Sequence, residues 1–133
     1  MQIIIIVCAF TFIFKNSRAH YVTELTESTF QVALDSNPSM MIDFYAYWCG
    51  HCKRLAPTYE SLSESLESSS SPTKLFRIDA YKYSSIRSIW EIHGFPTIAY
   101  FHNGKLVTRY HGDRTVKAMK SFIKKQEKKF HLV

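Results

Sequence analysis

Met40-Met41-Ile42-Asp43-Phe44-Tyr45-Ala46-Tyr47-Trp48-Cys49-Gly50-His51-Cys52-Lys53 is the stretch on which the reading of this chain turns. Met40 to Ala46 is nearly all apolar, the pattern of a central strand buried on both faces, with one acid, Asp43, embedded in it. Cys49 follows three residues later, and from Gly50 onward Leu55, Tyr59, Leu62 and Leu66 recur at helical spacing. A buried strand therefore runs into the start of a helix, with a C-x-x-C pair at the junction. Pro57 falls inside that helix and is expected to kink it, because its ring removes a backbone hydrogen bond and crowds the preceding turn.

Working outward, Tyr21 to Leu25 reads as a first strand and Thr26 to Asp35 as a capped helix broken by Asn37-Pro38. Beyond the C-x-x-C helix, Ser68 to Pro72 is a polar exit loop and Lys74 to Ala80 a further strand. Ile86, Ile89, Trp90 and Ile92 mark a helix expected to end at Gly94. Thr97 to Phe101 and Leu106 to Tyr110 flank Asn103-Gly104, the strongest short hairpin signal. Asp113 to Lys129 closes the chain as a helix, with Val116, Met119, Phe122, Ile123 and Gln126 on one side. The order β-α-β-α-β-α-β-β-α predicts an α/β fold. Its mixed central sheet would be flanked by helices on both faces, with parallel crossovers through the third helix and an antiparallel final hairpin.

A length of 133 residues is that of one domain, and 46% hydrophobic against 21% charged residues puts the chain in the globular class. Ile3 to Phe14 is an apolar run too short to span a bilayer, where roughly 20 residues are needed. Ser17-Arg18-Ala19 after it supplies the small residues of a signal-peptidase site, so residues 1–19 read as a signal peptide cut before His20. Residues 20–133 are then expected to form a single domain, with a core over about 21–125 and a basic tail over 126–133. Removing the leader also removes Cys8, leaving Cys49 and Cys52 as the two cysteines of the mature chain.

Three chemistries compete for that pair. Zinc wants four ligands, and His20, His93, His102, His111 and His131 offer no second pair at metal-binding spacing, so no metal or other cofactor is expected. A purely structural disulfide across four residues would constrain few unfolded conformations and stabilise little. The redox reading uses the position: Cys49 at a helix N-terminus meets unpaired amides and the positive end of the dipole, which favour thiolate over thiol. His51 between the cysteines can add positive charge there, and Cys52, one turn in, would be shielded and act second.

The stretch from Asp43 to Lys53, followed by Leu55-Ala56-Pro57, resembles the active-site segment of protein disulfide isomerase thioredoxin domains. The likeness continues through Ile78-Asp79-Ala80, Gly94-Phe95-Pro96-Thr97, Asn103-Gly104 and Gly112-Asp113-Arg114-Thr115, and covers residues 21 to 125. Through Tyr83-Ser84-Ser85-Ile86 it is most similar to the catalytic domain of the thioredoxin-related transmembrane proteins. The resemblance implies the thioredoxin fold and thiol-disulfide exchange at Cys49-Gly50-His51-Cys52 on cysteine-containing client proteins, re-charged by a redox partner protein or glutathione. It makes Pro96 the cis-proline beside the disulfide, with Trp48 and Phe95 shaping the client-binding surface. It makes Asp43 the buried acid that exchanges a proton with Cys52; the plain alternative is a half-exposed strand acid. Arg77 stands where the family often has a basic partner for that acid, or faces solvent. Arg114 matches a mobile arginine that can approach the second cysteine, or is an exposed first-turn helix residue. Tyr47 departs from the usual proline, which points to altered substrate contact. A non-catalytic client-binding module of the same fold and a thioredoxin-type reductase are the alternatives.

The chain carries a formal charge of +6, and the basicity is local: from Lys105 onward there are nine bases and two acids. Lys117, Lys120, Lys124, Lys125, Lys128 and Lys129 are expected on the wet face of the last helix. No base-stacking or groove-reading motif accompanies them, so no nucleic-acid partner is expected, and membrane association only if the chain belongs to a longer membrane protein. Leader and chemistry together imply the secretory pathway, either the endoplasmic-reticulum lumen or secretion.

Overall fold

The computed structural model describes residues 22–133. The predicted leader, the cut before His20 and the first residue of the opening strand, Tyr21, lie outside them. The elements are β1 (Thr23–Leu25), α1 (Glu27–Ser36), β2 (Ser39–Tyr45), α2 (Gly50–Ser68), β3 (Lys74–Asp79), α3 (Ser84–Ile89), β4 (Thr97–His102), β5 (Lys105–Tyr110) and α4 (Val116–Lys129). They form one mixed sheet in the order β1-β3-β2-β4-β5. The apolar run takes the middle: β2 pairs in parallel with β3 and antiparallel with β4, and every residue from Ser39 to Phe44 is buried.

Side-chain alternation along β2 divides the core in two. Met40, Ile42 and Phe44 pack with Phe30, Leu34, Ile86 and Ile92 beneath α1 and α3. Met41 packs on the other face with Leu55, Tyr59 and Leu62 of α2 and Met119 and Ile123 of α4. Asp43 and Tyr45 fall in step with Met41, so they belong to the α2 face. That alternation is what brings an acid of the central strand under the C-x-x-C helix.

Three expectations are corrected. The connection through α3 is not a parallel crossover: β4 runs antiparallel to β2 and lies on its far side from β3. The 17 residues between β3 and β4 are long enough for a parallel return, so the direction of β4 is set by its pairing with β2 and not by the length of the connection. This helix also stops at Ile89, well before Gly94, because Glu91 adopts φ 51° and the Ile92 N–H donates to the Arg87 carbonyl, closing the helix on a left-handed residue that is not glycine. Finally, α4 begins at Val116, where the Thr115 hydroxyl caps it by accepting from the Ala118 N–H. Arg114 therefore precedes the helix.

The Asn103-Gly104 hairpin forms as expected, with φ of 49° and 77° at the two turn residues. Pro57 sits inside α2, which continues past it to Ser68. Of the terminal lysines, Lys117, Lys124, Lys125, Lys128 and Lys129 are exposed, whereas Lys120 is half-buried and donates to the Ser65 hydroxyl at 2.7 Å, tying α4 to α2. Among the described residues no helix is long and apolar enough to cross a membrane.

Candidate active site

Cys49 caps α2. Its backbone is extended (φ −79°, ψ 116°), and its Sγ accepts a hydrogen bond from the Cys52 N–H at 3.2 Å, so one of the unpaired amides of the helix start is spent on sulfur. Both cysteines are free thiols and both are 5% exposed, packed with Ala46 and against Phe95. The Cys49 thiol donates to the Phe95 carbonyl at 3.6 Å. Phe95-Pro96 is a cis peptide, and the Thr97 hydroxyl holds the turn by donating to the Gly94 carbonyl at 2.7 Å. The two halves of the predicted site, one at the β2-α2 junction and one before β4, thus meet at the Cys49 sulfur.

Burial, together with a hydrogen bond from its thiol to Cys49, pushes Cys52 up to about 12, while the Ala46 backbone pulls the other way. Asp43 is 4% exposed and Oδ1 has no hydrogen-bond partner among the described residues. Desolvation raises its carboxyl to about 7; the Arg77 charge lowers it, Glu24 raises it, and Arg114 lowers it least. A cavity of about 260 Å³ connects the two groups, lined by Asp43, Tyr45, Ala46, Cys52, Lys53 and Arg77. Asp43 and Cys52 therefore face a common space, a carboxyl with neutral-range proton affinity beside a thiol that holds its proton.

His51 is exposed and its Nδ1 lies 2.8 Å from Arg54 Nη2; arginine only donates, so the histidine accepts. Arg54, which the sequence reading had not singled out, thus adds a fixed positive charge at this end of α2, next to Lys53. A Cβ at Gly50 would stand 3.5 Å from Arg54 Nη1, an ordinary contact, so crowding does not require glycine there. Trp48 is 52% exposed and meets Phe95 edge-on with centroids 5.9 Å apart.

Arg114 is exposed and lines a second cleft, about 210 Å³, with Pro96, Thr97, Arg109 and His111. The structure does not bring it against Cys52. Arg77 stands beside Asp43 in the register of β2 and β3 and forms an ion pair with Glu24 at 2.6 Å. Its guanidinium also lies 4.5 Å from the Tyr45 ring centroid.

Two features went unread in the sequence. Tyr81 packs edge-on against Trp48 and Tyr47, extending the exposed aromatic surface beside Cys49. Glu24 and Tyr45 join Arg77 next to Asp43, the Tyr45 hydroxyl donating to Glu24 at 2.5 Å. An exposed acid on a three-residue edge strand carries no local signal of such a role; the strand register supplies it. Among the described residues no group of three His, Cys, Asp or Glu side chains is arranged to hold a metal ion.

A thioredoxin-type sheet with a capping cysteine, a second cysteine one turn on, and a cis-proline facing the first defines a dithiol domain. The thioredoxin family model matches residues 21–125, and the chain belongs to that family, as a thioredoxin-like domain of the protein disulfide isomerase kind. It is 39% identical over 105 residues to protein disulfide-isomerase 1 of Caenorhabditis elegans, covering 79% of this chain and 21% of that one. It is 36% identical over 110 residues to protein disulfide isomerase-like 2-1 of Oryza sativa subsp. japonica, covering 82% and 30%. Among solved structures, human ERp44 superposes with TM-score 0.77 at 27% identity, over 82% of this chain and 30% of that one. The first thioredoxin domain of mouse protein disulfide-isomerase A4 gives 0.70 at 31%, over 77% and 72%. The chain spans less than a third of the length of the two curated relatives.

Proposed function

We propose that this chain is a protein thiol-disulfide oxidoreductase and isomerase, acting on cysteine-containing clients in the secretory pathway, with residues 1–19 as leader and 20–133 as one catalytic domain. The observation that carries the reading is the cavity shared by Asp43 and Cys52 directly behind the capping Cys49. The Cys49 thiolate attacks one sulfur of a client disulfide; an S–S bond forms to Cys49 and the other client sulfur leaves as thiolate. Cys52 then gives its proton to the Asp43 carboxylate and attacks Cys49 Sγ. The second client sulfur departs, leaving a Cys49-Cys52 disulfide and a client dithiol reduced by two electrons. Run backward, the same steps oxidise a client, and a glutathione couple or a redox partner protein resets the pair.

Trp48, Phe95 and Pro96 form the surface on which an extended client segment lies, with the Phe95 carbonyl already directed at the cysteine that reacts. In this reading Arg114, which lines a cleft with Pro96, meets the same segment, and its approach to Cys52 requires movement from the position described above.

The test is turnover of a disulfide-bonded protein by the full chain, with the single cysteine variants trapped by acid and weighed. Cys49→Ser should abolish turnover, and Cys52→Ala should accumulate a client adduct on Cys49. Turnover surviving in Cys49→Ser would overturn the reading, as would binding of unfolded client with no exchange in the parent.

A further inference from the structure

Glu24, Arg77 and Asp43 lie in one row across three strands. In the register of β1, β3 and β2, Glu24 is opposite Arg77 and Arg77 opposite Asp43, so all three side chains share the sheet face that carries α2. An arginine flanked by two carboxylates has a choice of partner. In this structure it pairs with Glu24, whose Oε2 is 2.6 Å from Arg77 Nε, and leaves Asp43 Oδ1 without a hydrogen bond. The Arg77 Nε–H is not aligned on that oxygen, so the contact is chiefly one of charge. Glu24 is held in turn by the Tyr45 hydroxyl through its other oxygen, at 2.5 Å, and the Arg77 guanidinium rests on the Tyr45 ring. Tyr45, Arg77 and Asp43 all line the cavity that reaches Cys52.

We propose that Glu24 is a positioning residue for the redox centre: by engaging Arg77 and Tyr45 it keeps the arginine from pairing with Asp43, and so sets the pH range in which Asp43 can take the Cys52 proton. This rests on the redox reading above and adds a residue to it. A carboxylate beside an unopposed arginine stays ionised to low pH and becomes a poor proton acceptor, whereas a buried carboxyl with no cation nearby stays protonated far into the alkaline range. Arg77 paired with Glu24 gives the intermediate case. The charges on Asp43 have the matching signs, Arg77 holding it down and Glu24 raising it against a background set by burial. The other titratable groups are Tyr45 on β2, Cys52, Lys53 and Tyr59 on α2, and Arg114 ahead of α4.

The experiment reads the Asp43 carboxyl by carbon NMR in the reduced full-length protein, and in parallel the pH dependence of mixed-disulfide resolution in single turnover. Glu24→Gln keeps the shape and an acceptor for the Tyr45 hydroxyl. It should lower the Asp43 midpoint by about one pH unit and carry the acid limb of the resolution rate down with it. Arg77→Gln should move both upward. Glu24→Gln introduced into Arg77→Gln should shift the midpoint less than it does in the parent.

A merely structural role for Glu24 would loosen packing and move the two single variants in the same direction, or change thermal stability with no movement of the midpoint. Either result, or an unmoved midpoint in Glu24→Gln, overturns the proposal. Carboxyl midpoints that move as expected in a protein that turns over no disulfide would instead sink the redox reading and take the proton-transfer role of Glu24 with it.

Discussion

The Trp48 and Tyr81 rings meet at 90° with centroids 5.6 Å apart, and both are half exposed beside the capping cysteine. Tyr81 is held there by a turn: the buried Asp79 carboxylate accepts from the backbone N–H groups of Tyr81 and Lys82 at 3.1 and 3.0 Å. Tyr47, 65% exposed where the resembling disulfide isomerases usually carry proline, closes the group from the other side. Edge-to-face aromatic pairs contribute about 0.5–1.5 kcal/mol beyond their buried area, so removing one such platform from a client should cost about 2- to 12-fold in affinity. Tyr81→Ala is expected to raise KM for an unfolded protein client by that factor. Its kcat, and its rate with a small disulfide such as oxidised glutathione, should stay within about twofold. Equal losses on both substrates would show that Tyr81 supports the fold of the site, with no part in client contact.

Asp43 gives a stability prediction with a defined sign. Its carboxyl is raised from 3.8 to about 7 by burial, so ionising it costs more in the folded protein than in the unfolded chain. The stability present when the group is protonated is lost as pH rises from about 4 to about 7, and the deficit is constant above that. Replacement by a neutral isostere avoids the deficit, and Oδ1 has no hydrogen bond to lose. Asp43→Asn should therefore be more stable than the parent at pH 8 by a few kcal/mol, with about 4 kcal/mol as the upper figure. The gap should close by pH 4. The same variant should resolve mixed disulfides about 100-fold more slowly, the ordinary contribution of a positioned base. Denaturant curves at the two pH values test the first half, and a gap independent of pH would contradict it.

Much of this was legible because the deciding signals are local. An apolar strand with an acid in it, a cysteine three residues later and a helical stripe beyond place Asp43, Cys49 and Cys52 within one β-α unit. What escaped depends on contacts between distant segments. The Glu24-Arg77-Asp43 row exists because β3 inserts between β1 and β2, which no spacing within a strand reveals. The antiparallel course of β4 is set by its pairing with β2, and Glu91 ends α3 by adopting a backbone shape that composition assigns to Gly94. Glu127 is a different kind of miss. It continues the Met119-Ile123 stripe at helical spacing, but a lone acid in a basic helix reads as surface.

Glu127 is in fact buried, at the end of the sheet away from the cysteines. It accepts from the Ser71 hydroxyl and from Thr73 Oγ1 at 2.7 Å, and Thr73 in turn lies 2.8 Å from the Ser39 hydroxyl, itself 2.5 Å from that of Tyr100. A buried carboxylate inside a satisfied set of hydroxyls holds the first residue of β2, the loop before β3, and α4 in one place. Glu127→Ala strands two hydroxyls and should destabilise by about 2 kcal/mol, lowering Tm by roughly 8 °C, while Glu127→Gln should lose less. The reduction potential of Cys49-Cys52 should not move in either variant, since Ser39 and Tyr45 are opposite ends of β2. A Glu127→Ala protein with unchanged Tm would contradict the account of this network.

The exit from α2 offers a neighbouring pair of substitutions with opposite expected signs. Ser70 adopts φ 55° while the Ser71 N–H reaches back to the Leu66 carbonyl at 2.9 Å, so the helix closes on a left-handed residue with a side chain. That conformation costs a residue with a Cβ about 1–2 kcal/mol, and glycine avoids the cost at the expense of some unfolded-state entropy. Ser70→Gly should therefore stabilise by about 0.5–1 kcal/mol. One residue earlier, Ser69 has φ −94°, and its hydroxyl donates to the Ser65 carbonyl at 3.0 Å and the Leu66 carbonyl at 3.2 Å. Glycine there gains nothing from backbone relief and loses both hydrogen bonds, so Ser69→Gly should destabilise by about 1 kcal/mol. Both positions are exposed and adjacent in a run of four serines, so composition, charge and burial are matched, and the two differ in the sign of the backbone dihedral and in the hydroxyl hydrogen bonds that Ser69 makes. Thermal melts of the two variants decide it: effects of the same sign would mean that Ser70 is not held in the left-handed region in solution.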